Sequence, residues 1–426
     1  MCAKQHEAEA LSGGSATLDK IAAVERILDR TLEDLAFVFD HPDQLESISH
    51  DRSQVIRAVD KVAVETVLLM DTVVKSGVVM VDDQRVQKIL DICAPSIRSP
   101  RNRFLFTHNP RLCTSFGLGH ILLTGLGHAD PAFDRVLDVA SSSVAMHPSN
   151  KLPFRLLDDY WVMQRAGMRL PEKRRVELAN FTMLNAPIKP LYYRTDDYYA
   201  LTHEIMYLTD FGCSELPLEY DVEKALALIE VGILDNLNSY DLDVLSELVA
   251  VSAMLRPQKL GPVATVAAAL LAQEFSMHGV MPSRNFDPEE LKAQADPVLQ
   301  RCYIFFNTYH TTHVFAMMQA TLFRAEIAPL RMRKTAMPLP AALRSQLSDQ
   351  NANAPTWLDR FALLEIENGG HTAILAGIAL FDAVRRQDSA ALFKVLNLVK
   401  SERIPLPGDL MSDIMEHLAR VTICAR

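Results

Sequence analysis

The stretch TLDKIAAVERILDRTLEDLAFVF, residues 17–39, indicates the fold class of this chain. Its apolar residues recur at steps of three and four positions, at Ile21, Val24, Ile27, Leu28, Leu32, Leu35 and Ala36. Because an α-helix has about 3.6 residues per turn, this spacing places them on one helical face. Residues 17–39 are therefore predicted to form an amphipathic helix.

The same periodicity continues along the chain and is interrupted by proline and glycine. Pro131, Pro153 and Pro171 stand where proline fits the first turn of a helix, and Gly212 stands at a predicted helix end. Further helices are predicted at 54–75, 83–92, 111–126, 196–209, 239–255, 297–324 and 371–386, with long loops at 277–296 and 326–353. The sequence contains no strand–turn–strand pattern and only 16 glycines, so we expect an all-α protein.

Pairs of predicted helices recur about every 40–50 residues without a repeated sequence. Helical hairpins closed into an α/α toroid fit this spacing, and an open α-solenoid is the alternative. In a toroid, the chain-entry ends of the inner helices would line a funnel, with those helices starting near residues 112, 153, 196, 239, 305 and 371. We expect the chain to divide into a disordered tail (1–16), a helical N-terminal section (17–100) and an α/α helical domain that carries the site (101–426).

Composition excludes several classes of partner. The net charge of −10 argues against nucleic acid, whose phosphates need a basic surface. No apolar stretch approaches the roughly 18 residues of a membrane span, and no signal peptide is recognisable. The six cysteines are scattered without a CxxC pair. We therefore expect a reduced, cytoplasmic, soluble protein without a nucleic-acid or membrane partner.

Four histidines each begin a predicted apolar helix: His120, His203, His310 and His371. The interior of a helical core has little use for an imidazole at such a position. If these helices are neighbours entered from the same side, the four rings gather at one end of the assembly. This placement is the main indication of a functional site in the sequence.

The densest polar cluster lies in TDDYYALTHEIMYLTDFG, residues 195–212. Tyr199, His203, Tyr207 and Asp210 are spaced by four, four and three positions and would share one helix face. We expect His203 to act as a base and Asp210 to orient it, while the two tyrosines donate protons or shape the pocket. A hydrogen-bond network between helices is the alternative interpretation.

A second cluster is NTYHTTH, residues 307–313. His310 and His313 are three positions apart, so their rings would point from adjacent turns toward one place. With His371 they could complete a metal site for one Zn, Fe, Mn or Cu ion. They could instead polarise a substrate oxygen without a metal.

Two charged features have simpler explanations. Asp158 and Asp159 lie near a predicted helix start, where the positive end of the helix dipole stabilises carboxylates. The further acidic motifs of Mg²⁺-dependent terpene synthases are missing, so helix stabilisation suffices. Arg331, Arg333 and Lys334 are expected to lie in a solvated loop.

The segments ALTHEIMYLTDFG and YHTTH resemble an uncharacterised bacterial all-helical domain family often encoded in natural-product gene clusters. The matching residues are Thr202, His203, Tyr207, Thr209, Asp210, Phe211, Gly212, Tyr309, His310 and Thr311. The resemblance covers roughly residues 100–400, leaves the N-terminal 100 residues outside, and brings no established reaction. It implies a soluble bacterial protein of specialised metabolism.

Together these features predict a small-molecule biosynthetic enzyme with a His/Asp/Tyr site at the mouth of a helical barrel, with or without a metal. The alternative is a non-catalytic helical scaffold or a partner of a carrier protein. An enzyme requires the histidine-bearing segments to converge on one pocket, whereas a scaffold would space them along a surface.

Overall fold

The computed structural model describes residues 2–49, 56–142, 151–167, 177–186, 189–328, 330, 332–333, 335–347, 354–366, 370–406 and 410–424. In this part of the chain the protein is all-α, as predicted, and its only β pairing is an isolated bridge between Met332 and Leu364. The first part of the helix predicted to begin at Pro171, residues 171–176, lies outside the described residues. None of the helices described is both long enough and apolar enough to cross a membrane.

The first ten helices are α1 (Cys2–Asp40), α2 (Pro42–Ile48), α3 (Ala58–Lys75), α4 (Gln84–Ile97), α5 (Pro100–His108), α6 (Cys113–Gly125), α7 (Pro131–Ser141), α8 (Pro153–Arg165), α9 (Thr195–Leu208) and α10 (Val222–Ser239). The remaining helices are α11 (Leu242–Leu255), α12 (Pro262–His278), α13 (Pro288–Ala293), α14 (Pro297–Phe306), α15 (Tyr309–Arg324), α16 (Ala341–Leu347), α17 (Ala354–Phe361), α18 (Gly370–Arg385), α19 (Ser389–Ser401) and α20 (Leu410–Cys424).

Helix starts follow the local chemistry of the sequence. Proline occupies the first turn of α7, where Asp130 accepts hydrogen bonds from the backbone N–H groups of Ala132 and Phe133. In the predicted loop 277–296, Asp287 caps the short helix α13 in the same way, through the N–H of Glu289. Side-chain caps satisfy backbone donors that the helix itself cannot.

The predicted helix 297–324 is two helices, α14 and α15. At the break, the Asn307 amide donates to the carbonyl of Tyr303 at 3.0 Å, and the Thr308 hydroxyl donates to that of Ile304 at 2.8 Å. Asn and Thr side chains compete in this way with the helical backbone. The break gives α15 its own N-terminus, with His310 in the first turn.

Helices α11 and α15 form the centre of the molecule and pack on each other. Every residue of α11 from Leu242 to Met254 is buried, and so is every residue of α15 from Tyr309 to Leu322 except His310. A helix that is buried all round must be covered on every side. Helices α9, α10 and α12 cover α11, while α1, α3 and α14 cover α15.

The N-terminal section packs directly on this centre, because α1 and α3 both contact α15. Helix α1 begins at Cys2 and so includes residues 2–16, which the sequence placed in a tail. Residues of α3 also line the cavity described below. The boundary predicted at residue 100 therefore does not separate the N-terminal section from the site.

Candidate functional site

Two cavities meet where several helices begin. The outer cavity, of about 740 Å³, lies among the N-terminal turns of α3, α8, α9, α11 and α15, and the inner cavity, of about 430 Å³, lies behind it. The side chains that border both are Lys61, Arg155, His203, Glu247 and His310, and we call these five residues the junction. The helix that starts near residue 371 was expected to line the same funnel, but it does not border either cavity.

The inner cavity has largely apolar walls contributed by α3, α6, α9, α11 and α15. They include Val64, Leu68, Phe116, Leu118, Met206, Ala250, Met254, Val314 and Met317. Small-molecule pockets of this size usually combine apolar walls with a few polar groups that orient the ligand. Here the polar groups are concentrated at the junction.

His203 lies on α9 with its ring at the junction. Its Nδ1 is 2.6 Å from the carbonyl oxygen of Tyr199, to which it donates a hydrogen bond. Burial lowers the pKa of His203, and the bond to Tyr199 only partly offsets this. The neutral ring therefore carries its proton on Nδ1 and keeps Nε2 as a basic nitrogen.

The rings of Tyr199 and Tyr207 flank that of His203, with centroids 6.0 and 5.8 Å away. These three residues share one face of α9, as the sequence predicted. The side chain of His203 is 29% exposed. It is therefore held in place by its neighbours and accessible from the cavities.

Glu247 on α11 is buried beside His203, with its Oε2 3.8 Å from Nδ1 of that ring. The hydroxyl of Thr202 donates a hydrogen bond to Glu247. Burial, followed by the negative charge of Asp243, raises the pKa of Glu247 to about 8. Glu247 is thus a protonated, neutral carboxylic acid near pH 7.

His310 forms the other side of the junction, in an ion pair with Asp243. Its Nδ1 is 3.0 Å from Asp243 Oδ1, and the hydroxyl of Tyr199 donates to Asp243 Oδ2 at 2.6 Å. Burial alone would lower the pKa of His310, but Asp243 and then Glu65 raise it to about 10. His310 is therefore an imidazolium at neutral pH, and it keeps the pKa of Asp243 low against the effect of burial.

Asp158 on α8 faces the inner cavity beside Tyr207. Burial, and then its neighbour Asp159, raises the pKa of Asp158 to about 6. Tyr207 donates a hydrogen bond to this carboxyl group, and the guanidinium of Arg155 lies 4.0 Å from it. Asp158 therefore belongs to the site, whereas the sequence suggested only a role in helix stabilisation.

His313 lines the inner cavity below His310 and is buried. Its Nε2 lies 3.4 Å from the hydroxyl of Thr31, while burial and the charge of His310 lower its pKa to about 3. His313 is consequently neutral throughout the physiological range. Next to it, Tyr309 donates to Glu65 at 2.8 Å, which ties α15 to α3.

Asp210 does not contact His203, so the expected base and orienting carboxylate are not a pair. Helix α9 ends at Leu208, and Asp210 has a left-handed backbone with φ 47°, which turns it away from the face of His203. Its carboxylate accepts a hydrogen bond from Trp161 Nε1 at 2.7 Å and lies 3.3 Å from Lys75 Nζ. Asp210 therefore belongs to a separate group of ion pairs, and a backbone carbonyl orients His203 instead.

His120 and His371, which the sequence grouped with His203 and His310, lie elsewhere. His120 Nε2 is 2.7 Å from Asp134 Oδ1, and Arg98 donates to its Nδ1 at 3.1 Å. His371 is fully buried, with Nε2 3.2 Å from the carbonyl oxygen of Phe361. Each ring thus bonds to its own neighbours, away from the two cavities.

The expected metal ligands His310, His313 and His371 do not come together, because His371 is packed against Phe361 outside both cavities. Across the described parts of the chain, no group of three or more His, Cys, Asp or Glu side chains is arranged to hold a metal ion. The ion pair with Asp243 also keeps His310 protonated, whereas a metal needs the neutral ring.

Several site residues were missed from the sequence: Lys61, Glu65, Arg155, Asp243 and Glu247. One signal was available for two of them. Asp243 and Glu247 are four positions apart in DLDVLSELVAV, so two carboxylates share a face of a helix that is otherwise almost entirely apolar. Lys61, Glu65 and Arg155 lie on ordinary amphipathic helices, where nothing in the sequence distinguishes them from solvent-exposed charges.

A family model described as "Domain of unknown function (DUF6895)" matches residues 32–320. No curated protein and no solved structure matches the chain. The match begins within α1 and ends within α15, so it includes every residue of the junction. It also includes most of the N-terminal section, which the resemblance drawn from the sequence left outside.

Proposed function

Because the chain belongs to the family described as a domain of unknown function (DUF6895), which names no reaction, we propose a function from the site itself. The protein is a small-molecule enzyme that moves protons at the junction of the two cavities. His203 is the general base and Glu247 the general acid. No metal takes part in the proposed reaction.

One observation carries this proposal: neighbouring ionisable groups at the junction are held in opposite protonation states. His203 is neutral although it is a base, Glu247 is protonated although it is an acid, and His310 is cationic because it is paired with Asp243. Pairs of groups whose pKa values are pushed apart by their surroundings are typical of acid–base catalysis. A structural hydrogen-bond network does not need them beside a cavity.

The reaction class that these groups support best is removal of a proton next to a carbonyl group. Nε2 of His203 takes the proton from carbon, the C–H electron pair forms a carbon–carbon double bond, and the carbonyl oxygen takes the proton of Glu247. The enol is then returned to a carbonyl compound by the reverse transfers. His310 stabilises negative charge that develops on the oxygen.

The helix geometry supports the same assignment. Lys61, Arg155, Asp243 and His310 each lie in the first turn of a helix, at α3, α8, α11 and α15. The positive ends of four helix dipoles are thus directed to the outer cavity, where they favour negative charge. The positive helix ends would stabilise the negative charge that develops on the substrate oxygen.

The substrate in this proposal is a hydrophobic carbonyl compound, with its apolar part against the walls of the inner cavity. We place the enzyme in the biosynthesis of specialised metabolites in the cytoplasm of a bacterium, as the sequence resemblance implies. Closure of the helices into a toroid remains a prediction that the proposed chemistry does not require. It requires only that α3, α8, α9, α11 and α15 meet.

The test is deuterium exchange. The purified protein is incubated in D₂O with a panel of hydrophobic ketones and acyl thioesters, and incorporation of deuterium next to the carbonyl group is followed by mass spectrometry. We expect the wild-type protein to accelerate exchange for at least one compound. His203→Gln should lose about 100-fold or more of that acceleration, the usual contribution of a general base.

A matched control is His278→Gln, which changes an exposed histidine outside both cavities. It should leave exchange unchanged. If wild type and His203→Gln exchange the panel equally, or if neither does so faster than the control buffer, the enzyme proposal is wrong. The scaffold or carrier-protein alternative would then be preferred.

A further inference from the structure

A third cavity, of about 600 Å³, lies on the opposite side of α15 from the junction. On α15, His310, Val314 and Met317 face the inner cavity, whereas Phe315, Gln319 and Leu322 face this one. Its other walls come from α1, α12 and the residues Ile327, Ala328, Leu330 and Met332. Most of the lining is apolar, including Ala268, Ala269, Ala272, Leu260, Ile327 and Leu330.

A buried ammonium group borders this apolar cavity. Lys20 of α1 is only 8% exposed and forms no ion pair with any residue that the structure describes. Its Nζ donates to the backbone carbonyl groups of Ile327 and Leu322, at the C-terminal end of α15. These two bonds use two of its three N–H donors, so one donor and the charge remain uncompensated.

A second polar side chain at the same cavity has no partner. Gln319, one turn before Leu322, is 5% exposed, and its amide makes no hydrogen bond with the described residues. Because no described residue bonds this amide and Gln319 lines the cavity, the amide can bond a guest there. Lys20 and Gln319 therefore present N–H donors to one apolar space.

With the other charged side chains included, the lining of this cavity carries a net positive charge. Arg360 is held by Glu274 and by the hydroxyl of Tyr240, whereas Arg26 lies over the ring of Phe275. Asp19 is the one carboxylate that lines the cavity in the described part of the chain, and it is exposed. The space thus favours an anionic group attached to an apolar body.

We propose that this third cavity binds an amphipathic carboxylate, a chain of about ten carbons whose carboxylate accepts hydrogen bonds from Lys20 and Gln319. The aliphatic chain lies along the alanines of α12. The site does not depend on the proposed reaction, because it shares no residue with either of the other two cavities.

Isothermal titration calorimetry with the full chain tests this site. The probe is decanoate, kept below its critical micelle concentration, with decanamide and decylammonium as neutral and cationic probes of the same chain length. We expect decanoate to bind with one-to-one stoichiometry. Decanamide should bind at least tenfold more weakly, and decylammonium should not bind measurably, because the cavity offers a positive charge.

Variants then locate the site. Gln319→Leu removes the amide without breaking any bond to the described residues, and it should weaken decanoate about tenfold. Ala268→Phe fills the space for the chain and should abolish binding. Lys20→Met is less suited to the test, since it also removes the cap of α15 and can unfold that end of the helix. His310→Gln, in the other site, should leave decanoate affinity unchanged.

Each contrary result overturns the proposal. Decanoate that fails to bind, or binds no better than decanamide and decylammonium, shows that no carboxylate site exists. Decanoate that binds equally to wild type, Gln319→Leu and Ala268→Phe has bound elsewhere. A loss of binding in His310→Gln alone would assign the probe to the junction instead.

Discussion

The protonation state of each carboxyl group at the junction depends on its neighbours rather than on its residue type. Glu247 and Asp243 are both buried carboxyl groups on α11, one turn apart. Asp243 is ionised because the imidazolium of His310 lies beside it, whereas the hydroxyl of Thr202 is the one hydrogen-bond donor to Glu247 among the described residues. One turn of helix thus separates an anion from a neutral acid.

Replacement of Glu247 by glutamine should change how stability depends on pH. Between its ordinary pKa of 4.5 and about 8, the folded protein holds a proton on Glu247 that the unfolded chain releases. The free energy of unfolding of the wild type therefore falls as pH rises through this window, by up to about 1.4 kcal/mol per pH unit from this group. Glu247→Gln lacks this dependence and mimics the protonated acid.

We expect Glu247→Gln to gain stability relative to wild type on going from pH 5 to pH 8. Urea denaturation of both proteins at the two pH values measures this difference. Asp243 interacts with Glu247 but has a low pKa and stays ionised from pH 5 to pH 8, so the comparison chiefly reports the proton on Glu247. A constant difference between the two proteins would mean that Glu247 is ionised in the folded state.

Replacement of Asp243 by asparagine should release the proton of His310. The pKa of His310 is raised to about 10 chiefly by this carboxylate, against the effect of burial. Asp243→Asn should therefore lower it by about two pH units. NMR titration of the histidine ring signals measures this pKa, and Tyr199→Phe, which keeps the carboxylate, should lower it much less. An unchanged pKa in Asp243→Asn would show that another group holds the proton.

The sequence predicted the helix face formed by Tyr199, His203 and Tyr207 but not the acid Glu247 beside it. Helical spacing places side chains on a face of their own helix. It contains no information about which other helix lies opposite. Glu247 could therefore be assigned to His203 only once α9 and α11 were seen to pack together.

Two breaks in the helices determine where the site residues point. The break at Asn307 and Thr308 places His310 in the first turn of α15, at the junction. At the end of α9, Asp210, Phe211 and Gly212 all have positive φ, of 47°, 55° and 76°. This turn carries Asp210 away from His203 and returns the chain toward α11.

Replacement of Gly212 by alanine should destabilise the protein more than the same change at Gly127. Both glycines follow a helix and have positive φ, which costs other residues about 1–2 kcal/mol. At Gly127 a Cβ atom would meet nothing within 4 Å, whereas at Gly212 it would lie 2.7 Å from Met254 Cγ and would also collide with Arg324. We expect the extra cost at Gly212 to be about 1 kcal/mol or more.

Thermal or urea denaturation of Gly212→Ala and Gly127→Ala provides the comparison. Since Met254 lines the inner cavity, the exchange reaction proposed above should also slow in Gly212→Ala. Equal losses of stability in the two variants would mean that the contacts around Gly212 relax without cost.

Most helices could be predicted from the sequence, since each has its own period and its own proline, aspartate or glycine at an end. The prediction failed where short-range side-chain bonds overrode the apolar pattern. Apolar residues continue across Asn307 and Thr308, so the pattern alone predicted one helix from 297 to 324. The helix is interrupted here because the side chains of Asn307 and Thr308 bond to carbonyl groups of the preceding turn.

The whole molecule depends on α11 and α15, which are covered by helices from both ends of the chain. Val62, Val67 and Met70 of α3 are fully buried, and Tyr309 donates to Glu65 across the contact between α3 and α15. The N-terminal section is thus part of the same core. It could not be assigned to that core from sequence, because an amphipathic helix does not indicate its partner.

A fragment of residues 101–426 should therefore fail to fold cooperatively. Its loss of α1, α3 and α4 exposes one side of α15, which is buried along almost its full length. Circular dichroism with urea denaturation measures this. A chain starting at residue 17 lacks only the predicted tail and should keep the transition of the full protein. A fragment 101–426 that unfolds as sharply as the full chain would show that the N-terminal section is a separate domain.

Helix α15 has sixteen residues and is about 24 Å long, with a different cavity against each of two faces. The cavity on one face of this helix has no lining residue in common with the two cavities on the other. A side chain on one face of α15 can therefore be replaced without altering the lining of the cavity on the other face.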